Sequence, residues 1–106
     1  MTETERAAAY DSLLQRTNSL YQHWSSVVEA AKAIGLNHRE LHSSGAILSS
    51  GKNFGNLRFP VYYAGRHYAD ILSTEGSQEL EYVFLDSAPD WFRSLVERPA
   101  QHPLSY

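Results

Sequence analysis

The chain has 106 residues, of which 42% are hydrophobic and 20% charged, and its formal net charge is −3. This composition is typical of one folded domain and excludes a chain that is disordered as a whole. The chain contains no cysteine, which excludes disulfides, thiolate zinc sites and cysteine nucleophiles. Its longest apolar run is too short to cross a bilayer, and its N-terminus is acidic where a secretory signal is basic, so we expect a cytoplasmic protein without a membrane partner.

The first predicted element is one long helix over residues 1–34. Apolar side chains recur every seven positions through about four heptads, which is typical of a helix with one buried face. Thr2 and Glu5 have the spacing of a capping box, and Gly35 is a natural residue for the C-terminal cap. Both ends of this helix are therefore marked in the sequence.

The length of this helix raises the question of what covers it. At 1.5 Å per residue it would extend roughly 45–50 Å, whereas a compact domain of this size has a radius of gyration of roughly 13 Å. Either the helix breaks at Asn18-Ser19 or Ser25-Ser26, or its heptads pair with a second copy of the chain. The predicted homodimer seam consists of Tyr10, Leu13, Leu14, Leu20, Tyr21, Trp24 and Val28.

The periodicity of the remaining sequence predicts a single α+β domain over residues 1–98. A short second helix is predicted over residues 37–48, and a three-stranded antiparallel meander over residues 57–86. A C-terminal helix over residues 87–98 is expected to pack on one face of the sheet. Residues 99–106 are expected to form a flexible tail.

Residues 29–48 resemble a helix-turn-helix, the DNA-reading motif of many transcriptional regulators. In that motif a small residue such as Ala31 permits close helix packing, Gly35 makes the turn, and Leu41 anchors the second helix. The resemblance implies a DNA-binding regulator as one alternative, with contacts from His38, Arg39, His42 and Lys52. The small number of basic residues argues against it, because phosphate contacts dominate DNA affinity.

The histidines offer a further alternative, a small metal-dependent enzyme. His38 and His42 are four residues apart, like two ligands on one helical turn, and His67, Asp70 or His23 would have to complete the set. His67 and Asp70 also offer an acid–base pair, although nothing in their spacing selects it. No complete catalytic motif or ligand set is present, so we expect no catalytic residue, metal or cofactor.

The most informative stretch is the predicted hairpin of residues 59–70, which is rich in tyrosine, arginine and histidine. Pro60 cannot donate to a strand ladder, which predicts an edge strand. Alternation places Tyr63 inward and Tyr62 outward, on the face of Arg58. Exposed tyrosine and arginine dominate the hot spots of protein interfaces. The predicted partner-binding residues are Arg58, Tyr62, Arg66, His67 and Tyr68.

These patterns favour a small non-catalytic regulatory or inhibitory protein that binds a macromolecule, with another protein as the expected partner. The α-β-β-β-α order also resembles double-stranded-RNA-binding domains. Those domains carry a lysine cluster where this chain has Ser87-Ala88-Pro89-Asp90, so nucleic acid is a less favoured partner. The alternatives are the DNA-binding regulator and, less favoured, the metal-dependent enzyme.

Overall fold

The computed structural model describes residues 2–49 and 55–101, which form two α-helices and a five-stranded sheet. The elements are α1 (Glu3–Ala33), β1 (Leu41–His42), β2 (Ile47–Leu48), β3 (Leu57–Tyr63), β4 (Arg66–Ser73), β5 (Leu80–Phe84) and α2 (Asp90–Glu97). The predicted α+β class is confirmed. Neither of these helices is long and apolar enough to cross a membrane.

α1 is one uninterrupted helix of 31 residues, so the predicted breaks do not occur. It begins with the predicted capping box, in which the Glu5 amide donates to the Thr2 hydroxyl at 3.1 Å. It ends in a Schellman motif, where Gly35 has a φ of +82° and the Leu36 amide donates to the Ala31 carbonyl at 3.0 Å. A side-chain cap therefore fixes the first end of the helix, and backbone hydrogen bonds around a glycine fix the second.

The first turns of α1 extend beyond the rest of the domain. Residues 2–8 are all exposed, and the first buried residue of the helix is Arg16. The molecule is 51 Å long against 28 and 20 Å in its other dimensions. α1 alone accounts for about 46 Å of that length at 1.5 Å per residue.

The predicted second helix over residues 37–48 is wrong. A single 3-10 turn forms at His38–Glu40, with the Asn37 side chain accepting from the Arg39 amide at 3.3 Å. The chain then becomes extended, and both β1 and β2 pair with β3. The serines and glycine at 43–45 are poor helix formers, and the backbone groups along β3 are better partners than an isolated short helix can supply.

The sheet has five strands where three were predicted, because β1 and β2 both lie along the free side of β3. β3, β4 and β5 form the predicted antiparallel meander. β1 lies opposite Tyr62 and Tyr63, and β2 opposite Leu57 and Arg58, so the flanking strand is interrupted beside Pro60. Proline has no amide hydrogen for a ladder, which explains this interruption. The predicted edge position of β3 is wrong, because only the stretch around Pro60 lacks a neighbour on that side.

Both helices pack on one face of the sheet, which we call the inner face. Phe59 is at the centre of this packing, with ring centroids of Tyr21 and Trp24 at 5.3 and 5.4 Å. Tyr63 also points inward and meets the ring of Trp91 at 5.6 Å. The core consists of Leu20, Val27, Ala30, Ala31, Leu41, Leu57, Phe59, Val61, Ala69, Ile71, Ala88, Phe92, Leu95 and Val96.

The C-terminal segment differs from its prediction at both ends. α2 begins at Asp90, not at residue 87, because Pro89 is extended and biases the residue before it away from helix. Pro99–Gln101 forms a 3-10 turn that packs against α1, and Pro99 is buried. The beginning of the predicted flexible tail is therefore part of the domain, and residues 102–106 lie outside the described residues.

Candidate functional site

The outer face of the sheet, opposite the two helices, is the candidate functional site. Arg58 and Tyr62 of β3 and Asp70 of β4 alternate with the core residues and point to this face. At its margins, Ile47 is 41% and Val83 49% exposed. Exposed apolar side chains beside charged groups are typical of a binding surface.

A β-bulge in β4 controls which side chains reach this face. The register of β3 and β4 shifts between Val61 and Tyr62, so that Tyr62 pairs with His67 and Tyr68 is left unpaired. Regular alternation would place His67 on the inner face, but the extra residue turns His67 outward and Tyr68 inward. The Tyr68 ring packs on Phe92 of α2, with centroids 5.1 Å apart.

An aspartate holds His67 in its outward position. The Nε2 atom of His67 lies 2.8 Å from Asp70 Oδ1 and 3.1 Å from the Ala69 carbonyl oxygen. Both oxygens are acceptors, so Nε2 carries a proton and donates to them. Arg58 Nη1 lies 3.6 Å from the same Asp70 oxygen. One carboxylate therefore positions an imidazole and a guanidinium together.

Tyr62 lies at the centre of the site, between two histidines. Its ring centroid is 5.0 Å from that of His67 and 6.2 Å from that of His42. β1 brings His42 to this position by pairing it directly with Tyr62. The adjoining cleft has a volume of about 430 Å³ and is lined by Arg39, Glu40, His42, Ser44, Tyr62 and Gly65. Contacts on both sides restrict the Tyr62 ring before any ligand arrives, which reduces the entropy lost on binding.

This cluster presents three hydrogen-bonding side chains. It offers the Tyr62 hydroxyl, the Arg58 guanidinium and the free Nδ1 of His67 as hydrogen-bonding groups. In residues 2–49 and 55–101, no hydroxyl donates to His42 or His67, as an activated nucleophile would. No three of the His, Asp and Glu side chains in these ranges come together as metal ligands.

The residues of the predicted metal set lie apart. His42 and His67 stand on opposite sides of the Tyr62 ring. His23 is on the inner side of the sheet, where its Nε2 donates to the Val96 carbonyl at 2.6 Å. The metal alternative depended on a helix that would carry two of these histidines, and that helix is absent from residues 37–48.

The structure brings together three of the five predicted partner-binding residues, Arg58, Tyr62 and His67. Arg66 is exposed at the start of β4, opposite Tyr63 on the neighbouring strand. Tyr68 is half-buried on the inner side and is not presented on this face.

The predicted DNA-binding residues do not lie on a recognition helix. Arg39 and His42 line the cleft beside Tyr62, and His38 belongs to the 3-10 turn. Lys52 lies outside the described residues. The turn at Gly35 forms as the helix-turn-helix resemblance implies, but strand β1 takes the place of the second helix.

The predicted dimer seam divides between the core and the surface of the chain. Four of its residues are buried or partly buried against the chain's own core: Leu13, Leu20, Trp24 and Val28. Three are exposed, by 65, 48 and 47% respectively: Tyr10, Leu14 and Tyr21. The three exposed residues follow the overhanging first turns of α1 along the chain.

The contact between His67 and Asp70 was the feature that sequence reasoning could not select. Residues three apart in a regular strand point to opposite faces of the sheet, so their spacing argued against a pair. Only the bulge at Tyr68 puts both side chains on one face. Nothing in the alternation of this strand marks where the bulge falls.

Comparisons of the chain with protein-family models, with curated proteins and with solved structures gave no significant match. The function proposed below is therefore argued from the geometry and chemistry of the site.

Proposed function

We propose that this chain is a small, cytoplasmic, non-catalytic interaction protein that regulates or inhibits a protein partner bound on the outer face of its sheet. The observation that carries the proposal is the fixed cluster of Tyr62, His67, Asp70 and Arg58 on a face away from both helices. Tyrosine and arginine are the residues most enriched among interface hot spots. Side chains already held in place lose little freedom when they bind.

Charged groups of both signs border the cluster. Arg58 is exposed on the outer face, and both Arg39 and Glu40 line the adjoining cleft. Asp70 is already shared between Arg58 and His67 and is largely buried. Complementary charges at such a surface determine which partner binds and how fast it associates.

The experiment is capture of the partner from a lysate of the native host, quantified by mass spectrometry for three baits. The baits are the native protein, Tyr62→Ala and the matched control Tyr10→Ala, which removes an exposed tyrosine from a different surface. We expect one protein to be retained by the native bait and by Tyr10→Ala, and lost from Tyr62→Ala. Loss of a hot spot worth about 2 kcal/mol weakens binding on the order of thirtyfold. Equal retention of the captured protein on all three baits would show that the outer face does not take part in binding it.

Nucleic acid is the competing ligand, because tyrosine and arginine also stack on unpaired bases. Fluorescence anisotropy with single- and double-stranded DNA over a salt series separates the two. Weak binding at every salt concentration supports a protein partner. Tight binding at low salt that weakens steeply as salt rises would show that this face binds nucleic acid, because counterion release drives such binding.

We also propose that the chain self-associates through the exposed stripe of α1 formed by Tyr10, Leu14 and Tyr21. These residues are spaced by four and seven positions, which places them along one side of the helix. The same spacing on a second α1 would cover this stripe. Tyr21 stands at the inner end of this stripe, where its hydroxyl accepts from the Ala46 amide at 3.3 Å.

A further inference from the structure

Arg16 is the one buried charged residue among residues 2–49 and 55–101, with 8% of its surface exposed. It projects from α1 onto the end of β4. Burying a cation is unfavourable by several kcal/mol unless an anion or a full set of acceptors compensates it. An arginine stays charged at any physiological pH, so it cannot relieve this by losing its proton.

No aspartate or glutamate side chain compensates this charge. All 12 aspartates and glutamates lie within the described residues, and none has an oxygen within 4.0 Å of the Arg16 guanidinium. Arg16 Nη1 donates to the carbonyl and hydroxyl of Ser73 at 3.3 Å each, and Nε donates to the Ser12 hydroxyl at 3.4 Å. These three acceptors are neutral, and the distances are at the long limit for such bonds. Nη2 has no acceptor among the described residues.

Two adjoining clefts open at this guanidinium, with volumes of about 200 and 190 Å³. Gln15 and Gln78 line both clefts together with Arg16, and no carboxylate of the described part of the chain lines either cleft. The remaining lining residues are Ser12, Ser19, Ser73, Gly76, Ser77 and Leu80. A water molecule takes up about 30 Å³ of liquid, so each cleft holds a ligand of only a few heavy atoms.

We propose that Arg16 binds a small oxyanion, the phosphate or carboxylate group of a free small molecule, between α1 and the turn that joins β4 to β5. The planar fork of guanidinium N–H groups matches the oxygens of either group. The serine hydroxyls and glutamine amides around it supply further neutral donors without a repelling charge. This site lies on the helical side of the sheet, so it is independent of the partner surface around Tyr62.

A purely structural Arg16 would instead only fasten α1 to Ser73. The two roles differ in their response to anions, because a ligand that binds only the folded state raises the unfolding temperature in a saturable way. Thermal unfolding is therefore followed with inorganic phosphate and with acetate, each against sodium chloride at equal ionic strength. The variants are Arg16→Met and the matched control Arg66→Met, which replaces an exposed arginine at the start of β4.

We expect a saturable rise in the unfolding temperature of the native protein and of Arg66→Met, and none in Arg16→Met. A response to phosphate alone assigns a phosphorylated ligand, and a response to acetate alone assigns a carboxylate. If Arg16→Met does not fold, amide shifts of Ser73 and Gln78 in the native protein, measured by NMR during the phosphate and acetate titrations, give the answer without a variant. The absence of saturable shifts or stabilisation with both anions, or equal stabilisation of Arg16→Met, overturns the proposal.

Discussion

β3 places alternate side chains in the core and on the outer face, and this predicts very different effects for Phe59→Ala and Tyr62→Ala. Phe59 is 1% exposed and contacts the rings of Tyr21 and Trp24. Its truncation should lower the free energy of unfolding by about 3–5 kcal/mol, the range for a buried phenylalanine. Tyr62 is half-buried and loses mainly its contacts with two histidine rings, so we expect a loss of about 1 kcal/mol.

Urea unfolding, followed by far-UV circular dichroism, measures both losses with one signal. A domain of this size is stable by about 5–15 kcal/mol, so Phe59→Ala should remove a large fraction of that stability. Its unfolding temperature should fall by roughly 12 °C or more, at about 4–8 °C per kcal/mol. A loss for Tyr62→Ala equal to that for Phe59→Ala would refute the assignment of the two faces, because the outer face would then be packed as a core.

Two further predictions concern α1, and a third concerns Tyr82 of β5, whose ring centroid lies 5.4 Å from that of His23 on α1. Leu14→Glu should make the protein monomeric without unfolding it, since Leu14 is 48% exposed. Light scattering over a dilution series tests this, and a native protein that is monomeric at every concentration would contradict self-association through the stripe. Gly35→Ala should lower the free energy of unfolding by about 1–2 kcal/mol, because the left-handed backbone at this position is strained for alanine. An added Cβ would touch nothing within 4 Å, so steric contact does not contribute, and an unchanged urea midpoint would contradict the prediction. Burial, reinforced by the charge of Glu97, raises the pKa of the Tyr82 hydroxyl above 10.0 in the folded protein, so its contribution to stability is present below that pH and is lost as pH rises through the pKa of the folded state. In urea unfolding at rising alkaline pH, Tyr82→Phe should therefore lose stability less steeply than the native protein, and identical slopes would contradict the raised pKa.

Local signals in the sequence predicted the ends of α1 and the meander. The capping box at Thr2 and the Schellman glycine at Gly35 depend on residues within a single turn, so a short stretch of sequence contains all the information. The alternation through residues 57–63 likewise predicted Tyr63 inward and Tyr62 outward, as the ring contacts show. Such features do not depend on distant parts of the chain.

The features that were predicted wrongly depend on distant contacts. Residues 37–48 carry a helix cap, but the backbone of β1 and β2 within them pairs with β3, which follows later in the chain. The bulge at Tyr68 similarly decides that His67, and not Tyr68, joins the site. Tertiary contact overrides local preference in each case.

Photo-crosslinking is the most direct test of the claim that the outer sheet face binds a partner protein. Tyr62→p-benzoylphenylalanine and Tyr10→p-benzoylphenylalanine each replace an exposed or half-exposed tyrosine with a photoreactive aromatic ring, on different surfaces of the molecule. After irradiation in the native host, we predict a covalent adduct with another protein from position 62, and at most an adduct with a second copy of this chain from position 10. An adduct with another protein from position 10 together with none from position 62 would contradict the account.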